Sequence, residues 1–269
     1  MRRRDFLALT SMAAVSGAPR PKRNVLFIAV DDLRPQLGCY GHSRIKSPNI
    51  DRLASEGMRF DRAYCQQAVC APTRASLLTG TRPDTTRVYD LQTPLNTVRP
   101  DLVSIPRHFK NNGYETVSLG KIYHHANEDP QAWSAPPWLP KGDWPGGWRG
   151  YRDPLSALAV RHNDAALKGA YERALKEGRK LSPPPYGRGP AYEGPDVPDN
   201  AYQDGMTCDK AIEELRRMKD RPFFLAVGFL KPHLPFNAPK KYWDLYSHDD
   251  LDLPTRNEWP ENMPKLAGS

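Results

Sequence analysis

The sequence predicts an α/β fold, a mostly parallel central sheet with helices on both faces. Two observations predict it. Apolar runs at residues 24–30 and 223–229, with a shorter one at 116–119, have the length and the β-branched or aromatic content of buried strands. Segments with helix start and stop signals separate them, so the strands are joined by crossovers and run parallel.

Asn24-Val25-Leu26-Phe27-Ile28-Ala29-Val30 is expected as a central strand covered on both faces, ending in Asp31-Asp32. Ligands gather at the carboxyl ends of strands in open α/β sheets, where both carboxylates then lie. Ser47-Pro48 opens a short helix through Glu56 that Gly57 stops. Pro72 fits a first helical turn and Thr79-Gly80 a helix end, which makes another helix start near Cys70. Residues 104–112, closed by Gly113, read as a helix, and 116–119 as the strand that follows. Residues 201–219 form a further helix, with Met206, Ala211, Ile212, Leu215 and Met218 near helical spacing. Residues 223–229 are a second buried strand.

From about 130 to 198 this pattern is lost. Trp133, Trp138, Trp144 and Trp148 crowd among Pro and Gly, a Pro-rich run follows at 182–187, and residues 157–180 hold one helix. The stretch is read as an insertion of surface loops, with aromatics placed near a cleft or, equally, covering the core.

Hydrophobic residues make up 39% of the 269, enough to bury the core of one domain or slightly more. The net charge of +8 comes without long Lys/Arg blocks, so no nucleic-acid footprint is evident. Arg2-Arg3-Arg4-Asp5-Phe6-Leu7 opens a short apolar stretch through Val15, and small residues follow at 16–18. This resembles a twin-arginine export signal, which implies removal of residues 1 to about 18 by the export machinery and a periplasmic or extracellular protein. The apolar run is too short to span a bilayer, and no later segment is long and apolar enough to be transmembrane. Four cysteines (Cys39, Cys65, Cys70, Cys208) are too few for a disulfide scaffold, and those other than Cys70 are expected as buried thiols.

The most informative run is Gln67-Ala68-Val69-Cys70-Ala71-Pro72-Thr73-Arg74-Ala75-Ser76-Leu77-Leu78-Thr79-Gly80, which reads C-x-P-x-R followed by Leu-Thr-Gly. Cys70 falls where helix N–H groups and the positive dipole end attract an anion. Arg74, four residues on, shares its helix face. The run resembles the sulfatase signature, in which a formylglycine-generating enzyme oxidises the cysteine. A hydrated aldehyde carries two hydroxyls on one carbon; one attacks sulfur and the other expels sulfate, which splits a hard displacement into two easier steps.

Further segments are similar to sulfatases and, within them, to the iduronate-2-sulfatase group. They are Val30-Asp31-Asp32-Leu33-Arg34-Pro35, Gly38-Cys39-Tyr40-Gly41, Ser47-Pro48-Asn49-Ile50-Asp51, Thr79-Gly80-Thr81-Arg82-Pro83-Asp84, Gly120-Lys121-Ile122-Tyr123-His124 and Lys231-Pro232-His233. The resemblance covers residues 24 to about 126 and 200 to 245. It implies an alkaline-phosphatase-like catalytic domain that acts on a sulfated saccharide such as a 2-sulfated uronic acid. It implies Asp31 and Asp32 as Ca2+ ligands, and Cys70, as formylglycine, as nucleophile and metal contact. Arg74 would hold the hydrate and bind sulfate, Lys121 and His124 (rather than His125) would line the sulfate pocket, and Lys231 would bind substrate. His233 would face the leaving group as a hydrogen-bond donor or acid.

The resemblance also implies that residues 24–269 are an N-terminal part of the catalytic domain, because the family's later strand supplies further metal ligands and a second lysine. Ser247-His248-Asp249-Asp250 follows no apolar strand and is not that segment. Weak Ca2+ binding, an exposed sheet edge and low activity of the isolated chain are then expected. Two other readings share these residues. One is phosphate or phosphonate ester hydrolysis on the same scaffold, and the other is a remnant or carbohydrate-binding module that lacks turnover.

Overall fold

The computed structural model describes residues 22–124, 129–140, 150–179, 188–247, 249, 258–259 and 261–264. The export segment, His125, Trp144, Trp148, the Pro-rich run at 182–187, His248 and Asp250 lie outside the described residues. In chain order the elements are β1 (Val25–Val30), α1 (Pro48–Glu56), α2 (Cys70–Thr79), α3 (Pro83–Thr86), α4 (Leu95–Val98), α5 (Ile105–Asn111) and β2 (Glu115–Gly120). They continue with α6 (Pro154–Lys176), β3 (Tyr192–Glu193), α7 (Gln203–Met218), β4 (Phe223–Phe229), β5 (Phe236–Asn237) and α8 (Lys240–Trp243).

The main sheet has the order β1-β4-β2, and both pairings are parallel. On one face, Ala71, Ala75 and Leu78 of α2 and Phe109 of α5 pack with Phe27, Phe224 and Ala226. Phe109 stacks on Phe224 with ring centroids 4.8 Å apart, a geometry that adds to the burial energy. On the other face, Ala211, Leu215 and Met218 of α7 cover Val117, Leu119, Leu225 and Val227. Helices therefore lie on both faces of a parallel sheet, as the patterning implied. β3 and β5 form a separate two-stranded parallel pair.

Three sequence expectations are corrected. Among the described strands β1 lies at an edge and is covered on one face: Val25, Phe27 and Ala29 join the α2 side, whereas Leu26 and Ile28 are 46% and 50% exposed. The cause is positional, since β1 pairs only with β4 among the described strands and the α7 cluster spans β2 and β4. Trp133 is buried and Trp138 packs on the α7-side cluster, so of the two placements the sequence left open these two aromatics take the core-covering one. Trp138 N donates to Ser118 O at 2.9 Å and Gly120 N to Trp138 O at 2.9 Å, which satisfies part of the outer edge of β2.

α6 begins at Pro154, one turn before the expected start, because Asp153 caps it by accepting from Ser156 N at 2.9 Å. Finally, Cys65 and Cys208 are exposed and Cys39 is half-buried, all as free thiols. Cys208 stands on α7 away from its buried positions Thr207, Ala211, Glu214 and Met218. No helix of the described residues is long and apolar enough to cross a membrane.

Candidate active site

Strand register builds the site. Val30 pairs with Phe229, and Gly120 with Gly228, so three parallel strands end level. The next residues leave the same edge side by side. Asp31 N donates to Phe229 O at 3.0 Å, and Lys121 N donates to Gly228 O at 3.0 Å. This close approach needs glycine twice. Gly120 has a φ of 67°, and a Cβ on Gly228 would stand 1.9 Å from Lys121 O.

α2 arrives over this edge with Cys70 as its first helical residue and Val69 as its N-cap. Arg74, one turn on, is buried and reaches back across the strand ends. Its guanidinium donates at 2.7 Å to Lys121 O, at 2.7 Å to Ile122 O and at 3.0 Å to Asp31 Oδ1. Lys121 Nζ pairs with Asp31 Oδ2 and stands 3.8 Å from Cys70 Sγ. Cys70 Sγ lies 3.7 Å from Asp31 Oδ1. Burial opposes ionisation of Asp31, but hydrogen bonds and charge from Lys121 and Arg74 outweigh it and hold the carboxyl below its usual range.

Cys70 goes the other way. Burial pushes its thiol up, helped by the Asp31 and Asp32 charges and opposed by Lys121 and Arg74. A thiol held protonated is a poor nucleophile, the reverse of the environment that activates catalytic cysteines.

Asp32 turns the chain away from β1 with a φ of 54°, a conformation short polar side chains tolerate; its carboxylate is exposed. His233 lies on the turn after β4. Its Nδ1 lies 2.7 Å from Leu234 O, so this nitrogen carries the proton and donates. Nε2 stands 4.0 Å from Asp32 Oδ2. Ligand atoms of Asp31, Cys70 and His233 all fall within 4.8 Å of one another.

The structure therefore brings Asp31, Cys70, Arg74, Lys121 and His233 together from segments far apart in the chain. Asp32 borders this group through His233. His124 is half-buried, three residues beyond Lys121, and outside the trio of ligand atoms. Lys231 Nζ donates to His233 O at 3.0 Å and to Pro235 O, within its own turn. Burial draws its ammonium down to about 8.

A family model described as Sulfatase matches residues 23–267. The chain belongs to the sulfatase family. It is 39% identical over 252 residues to iduronate 2-sulfatase of Homo sapiens, covering 91% of this chain and 41% of that enzyme. Among solved structures it is similar to BT4656, solved in complex with its substrate D-glucosamine-2-N,6-O-disulfate, at 25% identity and a TM-score of 0.52, covering 79% of this chain and 35% of that one. The phosphonate monoester hydrolase of Agrobacterium radiobacter shares the fold at 23% identity and a TM-score of 0.58, covering 84% of this chain and 44% of that one. The chain thus spans less than half the length of these relatives.

Sulfatases generally use a formylglycine and a divalent metal. In this sulfatase chain the donor chemistry fits a divalent ion. The Asp31 carboxylate, an imidazole nitrogen of His233 and the Cys70 side chain converge at the strand ends, and the exposed Asp32 carboxylate borders them through His233. Ca2+ takes six to eight oxygens, more than Asp31 and Asp32 offer, and Asp31 already carries two cationic side chains.

One residue of this sulfatase site was missed in the sequence. Asp204, in the first turn of α7, accepts from Leu230 N and Lys231 N, each at 2.8 Å. Burial pushes its carboxyl up, against the pull of those two amides and of Lys231. Its only sequence signal was an acidic residue at a helix start.

Proposed function

We propose that the protein is a sulfuric ester hydrolase of the iduronate-2-sulfatase kind, removing sulfate from a sulfated saccharide with a formylglycine made from Cys70 and one Ca2+ ion. The supporting observation is the convergence of Asp31, Cys70, Arg74, Lys121 and His233 at one strand end in a chain of the sulfatase family. Asp31 and Asp32 would hold the ion with the oxygen of the converted Cys70. When present, the hydrated aldehyde supplies a hydroxyl for attack on sulfur and another for sulfate expulsion, and the ion draws charge from the sulfate oxygens.

The chain's own residues do the rest. Arg74 and Lys121 place two fixed positive charges beside Cys70, in a partly buried setting where charge stabilisation is stronger than in water. Lys121 Nζ, 3.8 Å from Cys70 Sγ, is placed to hold a developing negative charge there. His233 carries its proton on Nδ1 and presents Nε2 to the site edge, so a protonated ring would donate to a leaving oxygen. His124 would line the sulfate pocket beside Lys121. Burial holds the unmodified Cys70 thiol in its protonated form, so the thiol itself is a poor nucleophile at this position. A formylglycine-generating enzyme and the twin-arginine machinery would be the maturation partners, and the product would act in the periplasm or outside the cell.

The test is sulfate release from an aryl sulfate by protein co-expressed with a formylglycine-generating enzyme. Cys70→Ala should lower it by on the order of a thousandfold or more. Faster release from the matching aryl phosphate would instead make the protein a phosphoester hydrolase. Near-normal sulfate release by the Cys70→Ala variant would remove the proposal.

A further inference from the structure

His233 meets Asp31 and Cys70 only if the turn that carries it keeps its shape. That turn has few backbone ties of its own. Pro232 and Pro235 have no N–H to donate, and His233 N to Leu230 O, at 2.9 Å, is the internal bond of the segment 230–235. Two charged side chains supply further ties. At the entry, the two carboxylate oxygens of Asp204 accept separately from the consecutive amides of Leu230 and Lys231, each at 2.8 Å. At the exit, Lys231 Nζ donates to His233 O at 3.0 Å and to Pro235 O. Asp204 itself is immobilised, because α7 packs its apolar face on β2 and β4.

We infer that Asp204 and Lys231 are positioning residues that clamp the turn after β4 and so present His233 to Asp31 and Cys70. The ammonium of Lys231 spans the turn from inside and is spent on two carbonyls, which gives it a role different from a contact with the substrate anion. Bonds between a charged group and a backbone group are stronger than neutral ones. Two such ties, one at each end, replace the hydrogen bonds that a proline-flanked turn lacks. The catalytic consequence rests on the sulfatase reading; the clamp itself does not.

Hydrogen exchange followed by mass spectrometry on the full chain reads the clamp without turnover. Lys231→Met removes both charge-assisted hydrogen bonds to the turn and should speed exchange of the amides at 230–237 by at least about tenfold. Asp204→Ala should do the same, with β1, β2 and β4 unchanged in both. Lys241→Met, which removes a pair with Asp199 beyond the turn, should leave that peptide as it is. Unchanged exchange in Lys231→Met would overturn the inference even if Asp204→Ala failed to fold.

In protein that releases sulfate, Lys231→Met should lower kcat about tenfold and leave KM within about twofold. A KM raised about tenfold with kcat kept would put Lys231 on the substrate and overturn the positioning role. If the unmodified protein released no sulfate, the functional reading would fail and the exchange rates would still decide the clamp.

Discussion

β1 and β4 look alike in the sequence and behave differently in the fold. Both are apolar runs ending where the site begins. β4 is the centre of the sheet, paired on both edges and buried along Phe223–Gly228. Among the described strands β1 is paired on one edge, and it is partly buried on one face, with Leu26 and Ile28 half-exposed. The difference separates two jobs. β4 carries the core, and its close contact with Lys121 levels the strand ends; β1 contributes mainly through its terminus, where Asp31 becomes the anionic hub for Arg74 and Lys121.

Substitutions along the two strands test that division. Gly228→Ala should be the most damaging, at about 4–5 kcal/mol in denaturant unfolding, because a Cβ would stand 1.9 Å from the Lys121 carbonyl and neither backbone can swing away. Phe224→Ala should cost about 3–4 kcal/mol, since Phe224 is 2% exposed and stacks with Phe27 and Phe109. A loss under about 1 kcal/mol at either position would mean that β4 is not the central strand.

At the end of β1, Asp31→Asn should cost about 3 kcal/mol at neutral pH by leaving Arg74 and Lys121 without their anion. The folded carboxyl titrates below 3.8, so the stability it contributes is full above that value and is lost as pH falls through the lower, folded one. The gap between Asp31→Asn and the unmodified protein should therefore close as pH drops below 3.8; a gap constant down to strong acid would contradict the pairing. Leu26→Ala, on the open face of β1, should change stability by less than about 1 kcal/mol. A loss equal to that of Phe224→Ala would erase the distinction between the strands.

The strands were legible because an apolar run is a local signal, and α1 and α5 because each has a Ser N-cap, a Pro in its first turn and a Gly just beyond its end. Centre and edge were not legible, because the pairing partner of a strand lies far along the chain: Val25 meets Phe224. β3 and β5 have two residues each, too short for any periodicity. Trp133 and Trp138 read as loop aromatics because what they pack on, the α2-side core for Trp133 and the β2 and β4 side chains for Trp138, is not adjacent in sequence.

In the site, Cys70 and Arg74 were legible from one helical turn, and Asp31, Lys121 and His233 from a motif resemblance. Their meeting depends on strand register, which no single segment encodes. Asp204 left almost no trace, since its partners are two backbone amides that any residues could supply. Lys231 drew attention as a charge beside a histidine, and the structure turns that charge inward onto carbonyl oxygens.

Mass spectrometry of the peptide spanning residue 70, from exported protein that releases sulfate, tests the central claim most directly. The account predicts the mass of an aldehyde at that position and its capture by a hydrazine reagent. An intact thiol in fully active protein would contradict it.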